Sequence, residues 1–332
     1  MNLQYRIDLL ARLGDYILSD NEEWLQVQER ASRENGWFIA PFLQQALQAI
    51  GHQYLQKEAL QQWIAAYPAA AAPHAPKIVG LIMAGNIPLV GMHDLICIWI
   101  AGHKARIRLS SKDAVLTTHL IGKLIEWEPA AAGYLEIADM LKGCDAYIAT
   151  GSNNSAGHFA YYFGKYPHII RRNRSSAAVL DGTETAAELE QLADDVYLYF
   201  GLGCRNVTKL YVPAGYDFVP LLQAFGKYNW MADHHKFKNN YDYNLAILIL
   251  NKQLYMSNES LLLVENNSLF SPISQLHYEI YTDRNTLVAG LQTHPDIQCL
   301  AGHGLIPFGK SQQPGLADYA DGVDTMAFLT AL

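Results

Sequence analysis

The chain has 332 residues, half of them hydrophobic, with 24 basic against 32 acidic residues and a formal net charge of −8. That length buries a substantial core and allows one large or two ordinary domains, and a pI near 5.8 excludes a general nucleic-acid footprint. The four cysteines, Cys97, Cys144, Cys204 and Cys299, lie far apart with no CxxC pair and no Cys/His cluster, so neither a bound metal nor a disulfide framework is expected.

Helical spacing governs the first 66 residues. Leu3, Ile7, Leu10, Leu13 and Ile17 recur on one face with charges between them, unlike the unbroken apolar core of a signal peptide. Residues 67–76 carry three prolines and read as a connector. From Lys77 the pattern alternates: KIVGLIMA as a strand, 89–102 as a helix, KARIRLS as a strand, 114–127 as a helix, DAYIATGS as a strand. Strands alternating with helices of this length imply βαβ units and a parallel sheet. SSAAVLDG adds a strand, and the helix after it begins with acidic residues and ends on glycines. After Cys204 a strand runs to Val212, a helix follows near 218–225, and a polar Tyr/Asn/His stretch fills 228–244. Strand-like apolar runs then occupy 245–250, 261–264 and 273–281. The longest apolar run, 87–101, is broken by His93 and Asp94 and is too short to span a bilayer, so a cytoplasmic protein is expected.

Four segments have residues suited to chemistry. GLGCRNVTKLYVP sets Cys204 on a turn behind Gly201 and Gly203, where a substrate carbonyl could approach the sulfur closely; a small buried hydrophobe is the other reading of a lone cysteine. In MAGNIPLVG, Asn86 follows the strand from Ile78 and precedes a helix that Pro88 can start. Its amide could donate into a cleft, or could simply cap the helix. RIRLSSKD offers Arg108, Ser110, Ser111 and Lys112 at another strand end, a set chemically suited to a phosphate but equally at home in a solvated turn. ATGSNNSAG closes a strand with Thr150, Gly151 and Ser152, small enough for a dinucleotide to lie against the backbone at a helix N-terminus.

The order and spacing of GNIP, RLSSK, ATGS and GLGCRNVTKLYVP resemble the aldehyde dehydrogenase superfamily, whose segments read NxP, KPS/A, TGS and GQxC followed by a strand ending VP. Within it, GSNNSA, YFGKYPHIIRRNRSSAAVLDG, YFGLGCRN and DYADGVDT are similar to the fatty-acyl-CoA reductases, known from the reductase component of bacterial bioluminescence systems. The resemblance covers most of residues 77–332.

It implies an α/β fold with a helical N-terminal segment over 1–76, a Rossmann-type cofactor domain over 77–198 rejoined by 305–332, and an α/β catalytic thiol domain over 199–304. It also implies an enzyme that passes an acyl chain from CoA to Cys204 and releases it as an aldehyde by hydride from a nicotinamide. Asn86 falls on the family's oxyanion-hole Asn. The oxidising members carry ELGGK, whose Glu activates water; the aligned stretch here, HIIRRNRSS, has no carboxylate. In NSLFSPI, Ser268 stands where the family has the Glu that grips the nicotinamide ribose, and Phe270 keeps the motif's ring. At the adenosine ribose, NAD-preferring members carry an acid three positions after the Lys of KPS/A; here Arg108 takes the Lys position and Ser111 the acid's, followed by Lys112. NADPH is therefore expected over NADH.

The expected partners are an acyl-CoA or another acyl thioester and an acyl-activating or acyl-transferring enzyme, without nucleic acid or a membrane span. The chain is short for the superfamily at its N-terminal end, which leaves a homo-oligomer weakly indicated. Two alternatives stand beside the reductase: a Cys-dependent acyl hydrolase or acyltransferase that needs no nicotinamide, and a nucleotide-binding protein that keeps the fold with an inert Cys204.

Overall fold

The computed structural model describes residues 1–72 and 74–332; Pro73 of the expected connector lies outside the described residues. It divides into two units, Met1–Asn173 with Pro314–Leu332, and Arg174–Gln313.

Four helices open the first unit: α1 (Leu3–Ile17), α2 (Glu22–Glu34), α3 (Ala40–Gln53) and α4 (Lys57–Ile64). Asn2 and Asn21 begin the first two by accepting the N–H groups of Tyr5 and Trp24, as short polar side chains do at helix starts. A five-stranded sheet follows, built from β1 (Ile78–Ile82), β2 (Lys104–Arg108), β3 (Leu135–Ile137), β4 (Ala146–Thr150) and β5 (His168–Arg171). The helices α5 (Met92–Ala101), α6 (Ala114–Trp127) and α7 (Asn153–Phe163) connect them. All five strands are parallel in the order β3-β2-β1-β4-β5.

Strands covered on both faces need nearly continuous apolar runs, and IVGLI and AYIAT supply them. Helix α5 is buried almost all round, which marks a central helix. Leu10, Leu13, Trp24, Leu47 and Leu60 of the N-terminal helices share one core with Val79, Ile98 and Ile107. The strand order reverses at β1, so the crevice outside the carboxyl ends of β1 and β4 is the switch point where open α/β sheets bind ligands.

The second unit contains β6 (Ser175–Val179), α8 (Ala186–Tyr197), β7 (Val207–Pro213), α9 (Val219–Phe225), α10 (His235–Leu250), β8 (Met256–Ser257), β9 (Leu262–Glu265), β10 (Gln275–Tyr281), α11 (Arg284–Gln292) and β11 (Ile297–Gly302). Its sheet runs β11-β6-β7-β10-β9-β8, parallel except where β8 meets β9. Thr185 and Glu188 close a capping box at the start of α8. Helix α12 (Thr325–Thr330) returns to the first unit, where the Leu329 carbonyl meets His103 Nε2 at 2.9 Å. Thr325 Oγ1 accepts from the Arg171 guanidinium at 2.8 Å.

Two features depart from the sequence expectation. Residues 245–250, read as strand-like, form the last turns of α10; a short unbroken apolar run such as LAILIL carries no period that separates helix from strand. The expected border between residues 198 and 199 falls inside the second unit, because β6 pairs with β7 and β11 and takes α8 with it. Among the described residues, no helix is long and apolar enough to cross a membrane.

Candidate active site

In the second unit, the approach to Cys204 is made of backbone that few residues adopt. After α8, Tyr199, Phe200 and Gly201 take φ values of 55°, 57° and 74°. The left-handed region suits glycine but costs a side chain about 1 kcal/mol or more, so the surroundings must hold Tyr199 and Phe200 there. Asn206 is central to that hold. Wholly buried, it accepts the Gly203 N–H at 2.8 Å and donates to the Leu198 carbonyl at 2.8 Å. The same amide nitrogen reaches the Asp195 carbonyl at 3.1 Å and that of Val196 at 3.3 Å. From the other side, the Ser176 hydroxyl on β6 donates to the Cys204 carbonyl at 3.0 Å.

The resulting turn leaves Cys204 half-buried, whereas Cys97, Cys144 and Cys299 are buried. Burial raises the thiol pKa of all three, and a thiol that resists ionisation is a poor nucleophile. Residues 266–273 are fastened to the strands that follow this turn. Lys209 donates to the Asn266 carbonyl, Thr208 to the Leu269 carbonyl at 2.6 Å, and His277 Nδ1 meets the Ser268 carbonyl at 3.0 Å. The ring of Phe270 stands exposed on that segment, as does Ser268.

The first unit has three turns at the carboxyl ends of adjacent strands. Arg108 ends β2, and Ser110, Ser111 and Lys112 follow it; Arg108, Ser111 and Lys112 are exposed. The turn after β1 carries Asn86 and lies against them. The Met83 N–H donates to the Arg108 carbonyl at 3.1 Å, and a Cβ on Gly85 would stand 2.5 Å from the Ser110 hydroxyl oxygen, so only glycine lets these turns close. Gly91, not Asn86, occupies the N-cap position of α5. Asp113, 6 % exposed, accepts the Leu89 N–H at 2.6 Å. Burial pushes its carboxyl up to about 7, against the opposing pull of that N–H. Beyond β1 on the other side, Thr150 ends β4 and Ser152 caps α7 by accepting the Ser155 N–H at 3.3 Å. A Cβ on Gly151 would meet Ser155 Cβ at 2.9 Å.

Solved structures share this architecture. Aldehyde dehydrogenase 21 from Physcomitrella patens, in complex with the reaction product succinate, superposes with a TM-score of 0.65 at 12 % identity, covering 91 % of this chain and 74 % of that one. The fold is that of the aldehyde dehydrogenases. An NAD-dependent aldehyde dehydrogenase from Sinorhizobium meliloti gives a TM-score of 0.65 at 12 % identity, over 91 % of this chain and 70 % of its own. The Mycobacterium tuberculosis aldehyde dehydrogenase complexed with NAD+ gives 0.61 at 13 %, over 87 % and 70 %. At such identities the likeness is one of fold. No family model matches the sequence, and no curated protein does.

Within the aldehyde dehydrogenase fold, the five-stranded sheet is the Rossmann-like unit and the six-stranded sheet carries Cys204 and Phe270. Asn86, Arg108, Ser110, Ser111, Lys112, Thr150, Gly151 and Ser152 all sit at or just beyond the carboxyl edge of the Rossmann-like sheet. Cationic and hydroxyl donors at that edge, with two glycines that keep the turns close, fit a dinucleotide phosphate. Asn206 and Ser176, which hold the Cys204 turn, and Asp113, which holds the Leu89 N–H, are not among the candidate site residues of the sequence motifs; an Asn two places after the cysteine and an Asp at a helix start are the local signals in the sequence. Arg171, inside HIIRRNRSS, forms a buried ion pair with Asp94 and belongs to the core of the first unit.

Proposed function

We propose that the chain is an NADPH-dependent acyl-CoA reductase that forms a fatty aldehyde through an acyl-Cys204 intermediate. The observation that carries this reading is that Cys204 alone among the four cysteines is not buried, on a turn that Asn206 and Ser176 hold from both sides. The Cys204 thiolate attacks the thioester carbonyl carbon, and the oxyanion takes hydrogen bonds from the Asn86 amide and the Cys204 N–H. Collapse breaks the bond to sulfur of CoA, which leaves as its thiolate. A reduced nicotinamide, which the turns carrying Arg108, Ser110, Ser111 and Lys112 and Thr150, Gly151 and Ser152 would hold, would supply the hydride that the acyl carbon needs. The bond to Cys204 then breaks, giving the aldehyde and restoring the thiolate.

The stretch HIIRRNRSS supports reduction over hydrolysis. It offers no carboxylate to activate water, and its Arg171 is committed to Asp94. The acyl-enzyme therefore persists until hydride arrives. The acyl thioester comes from an acyl-activating or acyl-transferring enzyme.

Intact mass after incubation with acyl-CoAs of several lengths, without cofactor, tests the reading. One acyl mass on the wild type and none on Cys204→Ser is expected, with loss of reduced-cofactor absorbance once NADPH is added. Release of free acid without cofactor would favour a hydrolase instead.

A further inference from the structure

Asp113 occupies the N-cap position of α6 yet makes no capping bond there. Aspartate is among the residues best suited to that place, but its carboxylate reaches across to the Leu89 N–H at 2.6 Å. Leu89 holds a φ of 54°, a conformation unfavourable for a branched side chain without support. The other carboxyl oxygen, Oδ1, is buried with no hydrogen-bond partner, a cost no helix cap would require. The backbone on the Asp113 side is itself fixed: the Asp113 N–H donates to the Ser110 carbonyl at 3.1 Å, and Asn35 donates to the Lys112 carbonyl at 3.1 Å.

We infer that Asp113 is a positioning residue that sets the Asn86 turn through Leu89 and ties it to the turn carrying Arg108 and Lys112. The inference rests on the reading of Asn86 as the oxyanion donor. An amide displaced by about 1 Å from a developing oxyanion loses much of its effect, so holding the turn has a kinetic consequence without any contact to substrate.

Asp113→Ser separates this role from a structural one. Serine is as well suited as aspartate to a helix N-cap position but is too short to reach Leu89. The full-length variant is expected to unfold near the wild-type temperature and to acylate Cys204 roughly ten- to a hundredfold more slowly in a single turnover, with NADPH affinity within about threefold. Asp113→Asn, isosteric and still an acceptor for the Leu89 N–H, should restore most of the rate. In Asn86→Ala the substitution Asp113→Ser should add nothing further, because coupled residues are not additive. Amide exchange at Leu89 should quicken in Asp113→Ser whether or not the protein is active.

Wild-type acylation by Asp113→Ser, or a double variant slowed by the product of the two single effects, overturns the inference while leaving the reductase reading intact. Full acylation by Asn86→Ala removes the oxyanion reading and the positioning role with it. Unchanged exchange at Leu89 would show that the turn does not depend on Asp113.

Discussion

The side-chain oxygen of Asn206 accepts the Gly203 N–H at 2.8 Å, spanning the turn that presents Cys204. The amide of the same side chain serves three carbonyls at the end of α8 and just past it, so one buried residue fixes both sides of the Cys204 turn. Asn206→Ala leaves those groups buried without partners and is expected to cost about 3 kcal/mol or more. Tm should fall, and the alkylation rate of Cys204 should change. A variant with wild-type Tm and thiol reactivity would show that the turn is held elsewhere.

Thiol chemistry should distinguish the four cysteines. Cys204 is half-buried, while burial both covers the other three and raises their pKa, so native protein is expected to show one fast-reacting thiol and three slow ones. Cys204→Ser should remove the fast phase and abolish acylation, with NADPH binding nearly unchanged. Fast labelling that persists, or acyl transfer to Cys299, would contradict the assignment.

Cofactor choice is expected to turn on the exposed cations at the end of β2. Arg108→Ala should lower kcat/KM for NADPH roughly ten- to a hundredfold, the equivalent of one or two charge-assisted hydrogen bonds, and leave NADH use almost unchanged. Lys112→Ala should act in the same direction. Equal use of both cofactors by the wild type would remove these residues from a phosphate site.

His303 predicts a pH dependence within the second unit. Its Nδ1 lies 2.9 Å from Asp181 and its Nε2 3.0 Å from Glu188, and only the imidazolium can donate to both. Those two hydrogen bonds raise its pKa above the usual 6.5. Burial alone would raise the Asp181 carboxyl, but hydrogen bonds from Thr183 and His303 outweigh it and hold the group at about 2. The histidine contribution is complete below pH 6.5 and is lost as pH rises through the raised value; the aspartate contribution is present above 3.8 and is lost as pH falls towards 2. Melting of the wild type should therefore weaken above neutrality more than that of His303→Gln, by an amount that the exposure of both pairs keeps small. Parallel Tm profiles for the two proteins would count against the clamp.

Much of this protein is legible along the chain because the signals are local. The alternation from Lys77 onward, the acidic start and glycine end of the helix after SSAAVLDG, and the glycines before Cys204 each act within a few residues, where backbone propensity and side-chain reach decide the conformation. The run at residues 245–250 lies at the limit of that method, since its apolar residues suit either period and packing made it helical. What only the tertiary structure decided are the bonds between distant turns. Asp113 reaches Leu89 across 24 residues, Arg171 reaches Asp94 across 77, and Ser176 reaches the Cys204 carbonyl across 28. Strand order brings these groups together, and strand order follows from which buried surfaces fit one another in three dimensions, a property that no window of sequence contains.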